Sequence, residues 1–202
     1  MKTFKAVLFP IALALPAVAA ADITVQMNAV TETGIGESLG KIVISKATHG
    51  ILLTPELTGL PPGAHGFHVH EVPDCSPGTN DEGEMAAAHA AGEHYDPEGT
   101  MKHGSPLVGD GHLGDLPVLM VDVGGRATMA VEASRLDFES VDNKALVIHA
   151  GGDNYSDVPE KAGGGGERIA CGIIDSTNST DDTTLTDAQD PQLRTPAPTT
   201  NQ

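Results

Sequence analysis

Positive charge is scarce in this sequence: 11 Lys and Arg stand against 28 Asp and Glu, for a formal net charge of −17 over 202 residues. A chain this acidic does not favour nucleic acid or an anionic membrane surface, so neither is expected as a partner. Cysteine is sparse too, with Cys75 and Cys171 alone. No long amphipathic helical repeat is present, which argues against an α-helical architecture. Beyond the first twenty residues no apolar stretch is long enough to span a bilayer, so no membrane partner is expected once those residues are gone.

What is there begins with a leader. Lys2 and Lys5 form a basic start, Ala6 to Leu15 an apolar run, and Ala17-Val18-Ala19-Ala20-Ala21 a small-residue cleavage zone. Residues 1–20 are therefore read as a cleaved signal peptide, and the mature protein as exported, periplasmic or secreted. In that setting an even pair of cysteines reads as one disulfide, the alternative being two free buried thiols. The bridge would close a loop of about 96 residues, worth roughly 4–5 kcal/mol on a chain-entropy argument. At the other end, residues 176–202 are dominated by Thr, Asp, Asn, Gln and Pro. They offer too little apolar surface to offset ordering entropy and are read as a disordered tail. The folded domain is expected over residues 21–175.

Within it the pattern is β. Ile23, Val25, Met27 and Ala29 alternate with Thr24, Gln26 and Asn28, a period of two. Further runs at Lys41–Ser45, Ile51–Leu57, His65–His70, Leu116–Val123, Arg126–Ala133, Lys144–His149 and Arg168–Ile174 bring the total to about eight. Val123-Gly124-Gly125-Arg126 reads as a tight turn. An all-β antiparallel sandwich or flattened barrel follows. Two connections, Glu71 to Asp115 and Ala150 to Glu167, are far longer than compact domains usually tolerate, and function is expected there.

The chemistry starts at His65-Gly66-Phe67-His68-Val69-His70. On a strand, His68 and His70 share one face and Phe67 and Val69 the other. With the apolar pair in the core, both imidazoles stand on the outside of the sandwich, about 7 Å apart along the strand, a separation that suits two ligands of one metal. His94, His103, His112 and Asp115 lie in the first long connection, and His149 closes the Lys144–His149 strand. These groups can be divided into two chemically different sets, although spacing alone does not place His94 in both. Four imidazoles, His68, His70, His94 and His149, suit Cu(II). Three imidazoles and a carboxylate, His94, His103, His112 and Asp115, suit tetrahedral Zn(II). His65 reads as a structural histidine, and His49 and His89 as surface residues.

The segments His65-Gly-Phe-His-Val-His70, Gly111-His-Leu-Gly-Asp-Leu-Pro117 and Gly163-Gly-Gly-Gly-Glu-Arg-Ile-Ala-Cys-Gly172 resemble the copper/zinc superoxide dismutase family. Gly111 to Pro117 and His149-Ala-Gly-Gly-Asp-Asn154 resemble its bacterial periplasmic branch in particular. The resemblance runs from Asp22 to Asp175. It implies an eight-stranded Greek-key sandwich, one redox copper and one structural zinc per subunit, and superoxide as the substrate, converted to oxygen and hydrogen peroxide. It implies that His94 bridges the two metals as an imidazolate and, released on one side, becomes a proton donor. It further implies that Arg168 guides and docks the anion, that Cys75 pairs with Cys171, and that Asp153 links a copper histidine to a zinc histidine, with Asp157 the competing candidate nearby. Monomers and homodimers both occur in the branch, so a homodimer is an open possibility.

Two features depart from the pattern. Asn80-Asp-Glu-Gly-Glu-Met85 is acidic where bacterial relatives often carry attractive lysines, and Glu93 precedes His94 where Gly is common. With the chain so acidic, Arg168, the copper, and Lys102 or Lys161 are expected to supply the local attraction for an anion. The rival reading is an exported metal buffer that keeps the ligands without turnover; a copper-only relative is disfavoured by His103, His112 and Asp115, and a purely structural sandwich by the seven ligands together.

Overall fold

A computed structural model describes residues 21–180 of the chain; the signal-peptide reading of 1–20 and the tail beyond Thr180 lie outside the described residues. Thirteen strands follow in order: β1 (Asp22–Thr31), β2 (Gly34–Lys46), β3 (Ile51–Thr58), β4 (Gly63–His65), β5 (Phe67–His70), β6 (Gly78–Thr79), β7 (Met85–Ala86), β8 (Leu119–Val121), β9 (Arg126–Ala127), β10 (Val131–Ala133), β11 (Lys144–His149), β12 (Arg168–Ile174) and β13 (Ser179–Thr180). Among the described residues the only helical pieces are short 3-10 turns. The main antiparallel sheet runs β10-β3-β2-β1-β12-β11-β5 and curls into a flattened barrel; β4 pairs with β8, and β6 with β7 as a small ribbon.

The alternation read in β1 is the alternation of burial. Ile23, Val25 and Met27 are enclosed with Ile42 and Ile44 of β2, Ile51, Leu53 and Leu57 of β3, and Phe67 and Val69 of β5. Each such side chain contributes roughly 1.5–3 kcal/mol on leaving water. Strand β11 is buried on both faces. Leu146 and Ile148 point into this core. Ala145 and Val147 point outward into a second apolar cluster with Ala88, Ala91 and the half-cystines. Cys75 and Cys171 are joined by a disulfide, which pins the start of the long connection to β12.

Three expectations change in detail. The run Arg126–Ala133 divides into β9 and β10, because its register on β3 brings Met129 opposite Pro55, which has no N–H to donate. The run His65–His70 divides at Gly66, whose N–H donates to the Gly151 carbonyl (2.8 Å) and whose own carbonyl accepts from His149 N (2.8 Å). The start of the expected disordered tail is ordered: Ser176–Asn178 form a 3-10 turn and Ser179–Thr180 pair with β1. Polar contacts rather than burial hold that turn, Ser176 N and Oγ donating to Asp142 at 2.8 and 2.9 Å.

Candidate metal centre

Strand geometry sets out the first candidate ligands. His68 and His70 project from β5 on the face opposite Phe67 and Val69, and His149 ends the neighbouring β11 on the same side. They stand on the outer face of the sheet, as the alternation requires, but not at the protein surface: His68 and His70 are 0 % exposed and His149 6 %. The connection from Glu71 to Asp115 folds back over them. Its backbone is fastened to β5 at Val69, which donates to the Gly114 carbonyl (2.9 Å) and accepts from Tyr95 N (2.8 Å). His94 and Asp115 are thereby set beside His70 and His68. Gly114 permits the approach, since a Cβ there would overlap the Val69 carbonyl.

The hydrogen bonds fix the tautomers on the strand-built side. A carbonyl or carboxylate oxygen can only accept, so the ring nitrogen facing it carries the proton. His68 Nε2 donates to Asp153 Oδ2 (2.9 Å), His70 Nδ1 to the Gly92 carbonyl (2.9 Å) and His149 Nδ1 to the Gly166 carbonyl (3.0 Å). The opposite nitrogens, His68 Nδ1, His70 Nε2 and His149 Nε2, are buried and have no partner. A buried lone pair without a donor is costly, and three converging lone pairs are what a metal cation satisfies. Burial first, and then the neighbouring His94, hold His68 and His70 well below the ordinary imidazole range. Burial likewise lowers His149 to about 4. These rings are neutral and ready to ligate.

The loop-built side is organised around one oxygen. Asp115 Oδ1 accepts from His94 Nδ1 (2.9 Å), His103 Nδ1 (3.0 Å) and His112 Nδ1 (3.3 Å), while Oδ2 accepts from Gly104 N (2.9 Å). Three imidazoles on one carboxylate are a tetrahedral donor set that a dication fits by displacing protons. Burial favours the neutral acid, but the hydrogen bonds from His103, His112 and His94 outweigh it and hold Asp115 far below the usual carboxylate range. Burial would also lower His103, yet bonds to Asp115 and Asp153 raise it to about 9. Both of its nitrogens donate to carboxylates.

His94 belongs to both sides. Its Nδ1 meets Asp115, its ring stacks on His68 at 3.9 Å between centroids, and it lies 4.9 Å from the His70 ring. Two groups of potential ligand atoms fall within 4.8 Å: His68, His70, His94 and His149, and His68, His94, His103 and Asp115. The second contains His68 instead of His112. His68 Nε2 is engaged by Asp153, whereas His112 Nδ1 points at the shared oxygen of Asp115.

Around these rings the structure separates the two aspartates that the sequence left in competition. The buried Asp153 carboxylate spans His68 Nε2 (2.9 Å) and His103 Nε2 (2.8 Å). Asp157 instead accepts from backbone, His103 N at 2.9 Å and Ala162 N at 3.0 Å. His65 places its two ring nitrogens against the carbonyls of His149 and Pro61 at 2.7 and 2.8 Å. His49 is exposed and His89 half-buried, neither among the ligand groups. Sequence reasoning missed Arg135, whose guanidinium donates to the carbonyls of Ser105, Gly111 and His112 and clamps the loop carrying two imidazoles. Nothing in its local sequence marks it, since its targets are backbone oxygens distant in the chain.

A cavity of about 820 Å³ opens onto His94 and His149. Arg168 lines it and donates from Nη1 to the Ala88 carbonyl and from Nη2 to the Gly92 carbonyl, both at 2.7 Å. Burial lowers its pKa while the Glu93 charge opposes that shift. Of the two lysines expected to assist, Lys161 lines this cavity; Lys102 does not, being paired with Asp110 at 2.6 Å.

Comparison with known proteins agrees with this geometry. The family model described as copper/zinc superoxide dismutase matches residues 38–174. The superoxide dismutase [Cu-Zn] of Escherichia coli is 48% identical over 175 residues, covering 86% of this chain and 99% of that protein. The Cu/Zn superoxide dismutase structure from Brucella abortus superposes with a TM-score of 0.73 at 46% identity, covering 76% of this chain and 99% of the other. The solution structure of the monomeric copper, zinc superoxide dismutase from Salmonella enterica gives a TM-score of 0.68 at 52% identity, with the same coverage.

Proposed function

Because the chain belongs to the copper/zinc superoxide dismutase family and catalyses superoxide dismutation with copper and zinc as cofactors, we propose that His94 couples the two metals and supplies a proton to the reaction. Copper would be held by His68, His70, His94 and His149, and zinc by His94, His103, His112 and Asp115. The observation that carries it is the set of three buried, unpartnered imidazole nitrogens beside a fourth ring whose other nitrogen faces a carboxylate.

When bound, copper supplies the one-electron couple, and zinc a fixed positive charge with no redox chemistry of its own. Two superoxide anions and two protons become one oxygen and one hydrogen peroxide. The residues do the rest. His94 takes up a proton from solvent at Nε2 after the first superoxide has given up its electron, and delivers it to the second as that one is reduced; solvent supplies the other proton directly. Through Nδ1 the ring stays anchored on the Asp115 side, so its swing is small. Asp153 fixes the tautomers of His68 and His103 together, and such outer partners are typically worth about 10–100-fold in metal affinity or activity. Arg168, at the cavity wall with its guanidinium oriented by two carbonyls, guides and docks the anion.

The same reading places residues 1–20 as a cleaved leader, 21–175 as the enzyme domain and the protein outside the cytoplasm, as the leader composition and the disulfide support. It leaves a homodimer and a monomer as alternatives; the Salmonella enterica relative is a monomer, and sedimentation of this protein decides between them. The decisive test of the site is copper and zinc stoichiometry with dismutase activity, for wild type and His94→Ala. The expected result is loss of activity in the variant; full activity with both metals retained would overturn the role of His94.

A further inference from the structure

The cavity that gives access to His94 and His149 is walled by carboxylates. Glu32 after β1, Glu82 and Glu84 of the β6–β7 turn, Glu93 beside His94 and Glu167 beside Arg168 all line it. Among the described residues, Lys161 and Arg168 are the only cations that do so. Arg168 is already committed to two carbonyls at 2.7 Å. One of them belongs to Gly92, so the chain leaves the guanidinium and reaches Glu93 at the next residue. At the base lie the unpartnered Nε2 of His149 and the ring of His94. The wall and the substrate carry the same sign.

From this geometry we infer that Glu93, with Glu82 and Glu84 in the same wall, sets the rate of anion entry, and that the mouth repels superoxide. Glu93 is the determinant because it shares the wall with Arg168 and adjoins His94, so its charge is felt where the anion must dock. Walls of low dielectric focus such a field, and fields of this kind change association rates by about 10–10³ in total, so one carboxylate is expected to account for about three- to tenfold. Salt weakens repulsion, because the screening length falls from about 30 Å at 0.01 M to about 8 Å at 0.15 M. The rate of this enzyme therefore rises with ionic strength across that range. The inference rests on the reading of His94 and His149 as copper ligands at the cavity base.

The test uses the copper- and zinc-loaded protein. Superoxide kcat/KM is measured by pulse radiolysis at 0.01 and 0.15 M ionic strength, and the Kd of azide, a small monoanion, by optical titration of the copper band. Wild type is expected to turn over faster at the higher salt. Glu93→Gln is expected to raise kcat/KM about three- to tenfold at low salt, tighten azide by a similar factor and flatten the salt dependence. Glu84→Gln, on a different segment of the wall, moves all three readouts the same way. Glu132→Gln removes an equal charge from the exposed face of β10, outside the cavity lining, and is expected to leave both constants within about twofold of wild type. A wild-type rate that falls with salt, or Glu93→Gln matching Glu132→Gln, overturns the inference. Should wild type bind both metals yet lack activity, the turnover reading fails instead, and the azide affinities, read on copper held at the cavity base, still decide whether the wall repels anions.

Discussion

The two halves of the metal centre are built on opposite plans. The half formed by His68, His70 and His149 grows from paired strands, and each ring spends one nitrogen on an oxygen and leaves the other empty. The half formed by His94, His103, His112 and Asp115 grows from a long connection and satisfies itself, three N–H groups converging on one carboxylate oxygen. A sheet can hold unsatisfied lone pairs in place because its own hydrogen bonds and core supply the rigidity. A loop has no such support, so protons bridge its ligands until a metal takes their place. Strand-side ligands should therefore matter to activity and little to folding, and loop-side ligands to both.

The sharpest contrast is between His149→Ala and Asp115→Ala. His149→Ala should lower dismutase activity on the order of a thousandfold, beyond the ~10–100-fold typical of outer partners, with the urea midpoint of the metal-free protein almost unchanged. Asp115→Ala should instead destabilise the metal-free fold by roughly 3 kcal/mol, because His94, His103, His112 and Gly104 N lose their buried acceptor. Equal midpoints for the two variants would erase the distinction between the halves.

Asp153 joins them, so its removal should be felt on both sides at once. Asp153→Asn is expected to weaken copper and zinc together by about 10–100-fold in chelator competition. A loss confined to one metal would show the halves to be independent.

The smallest effect is in pH. The His103 pKa is raised from 6.5 to about 9 in the metal-free fold. The stability this contributes is fully present below pH 6.5 and is lost as pH rises through about 9. Zinc bound at the proposed site would displace that proton, so zinc affinity should climb about tenfold or more between pH 6.5 and 9. His149, at about 4, has already lost its proton over the same window, and copper affinity should be flatter. Competition titrations with one chelator per metal compare the two slopes; parallel slopes would contradict the assignment of the protons.

Much of this contrast was legible in the residues. Period-two alternation is local, so it placed His68 and His70 on one face with Phe67 and Val69 on the other. Composition singled out the connection rich in His, Asp and Gly. What the alternation could not show is that the outer face is covered: the burial of both rings depends on how Glu71 to Asp115 fastens to Val69, a contact distant in sequence. The break between β9 and β10 was hidden for a related reason, since the disturbing proline lies on the partner strand. The choice of Asp153 over Asp157 needed side-chain geometry, as both occupy one loop and differ only in what they face. Arg135 left no local trace at all.

One ring joining the two halves is the claim on which the mechanism stands. It is tested most directly by loading Cu(II) into both sites and recording the electron paramagnetic resonance spectrum. Two ions sharing the imidazolate of His94 couple their spins, and the ordinary Cu(II) signal should be largely lost at low temperature, returning in His94→Ala. Two independent Cu(II) signals in the wild-type protein would contradict it.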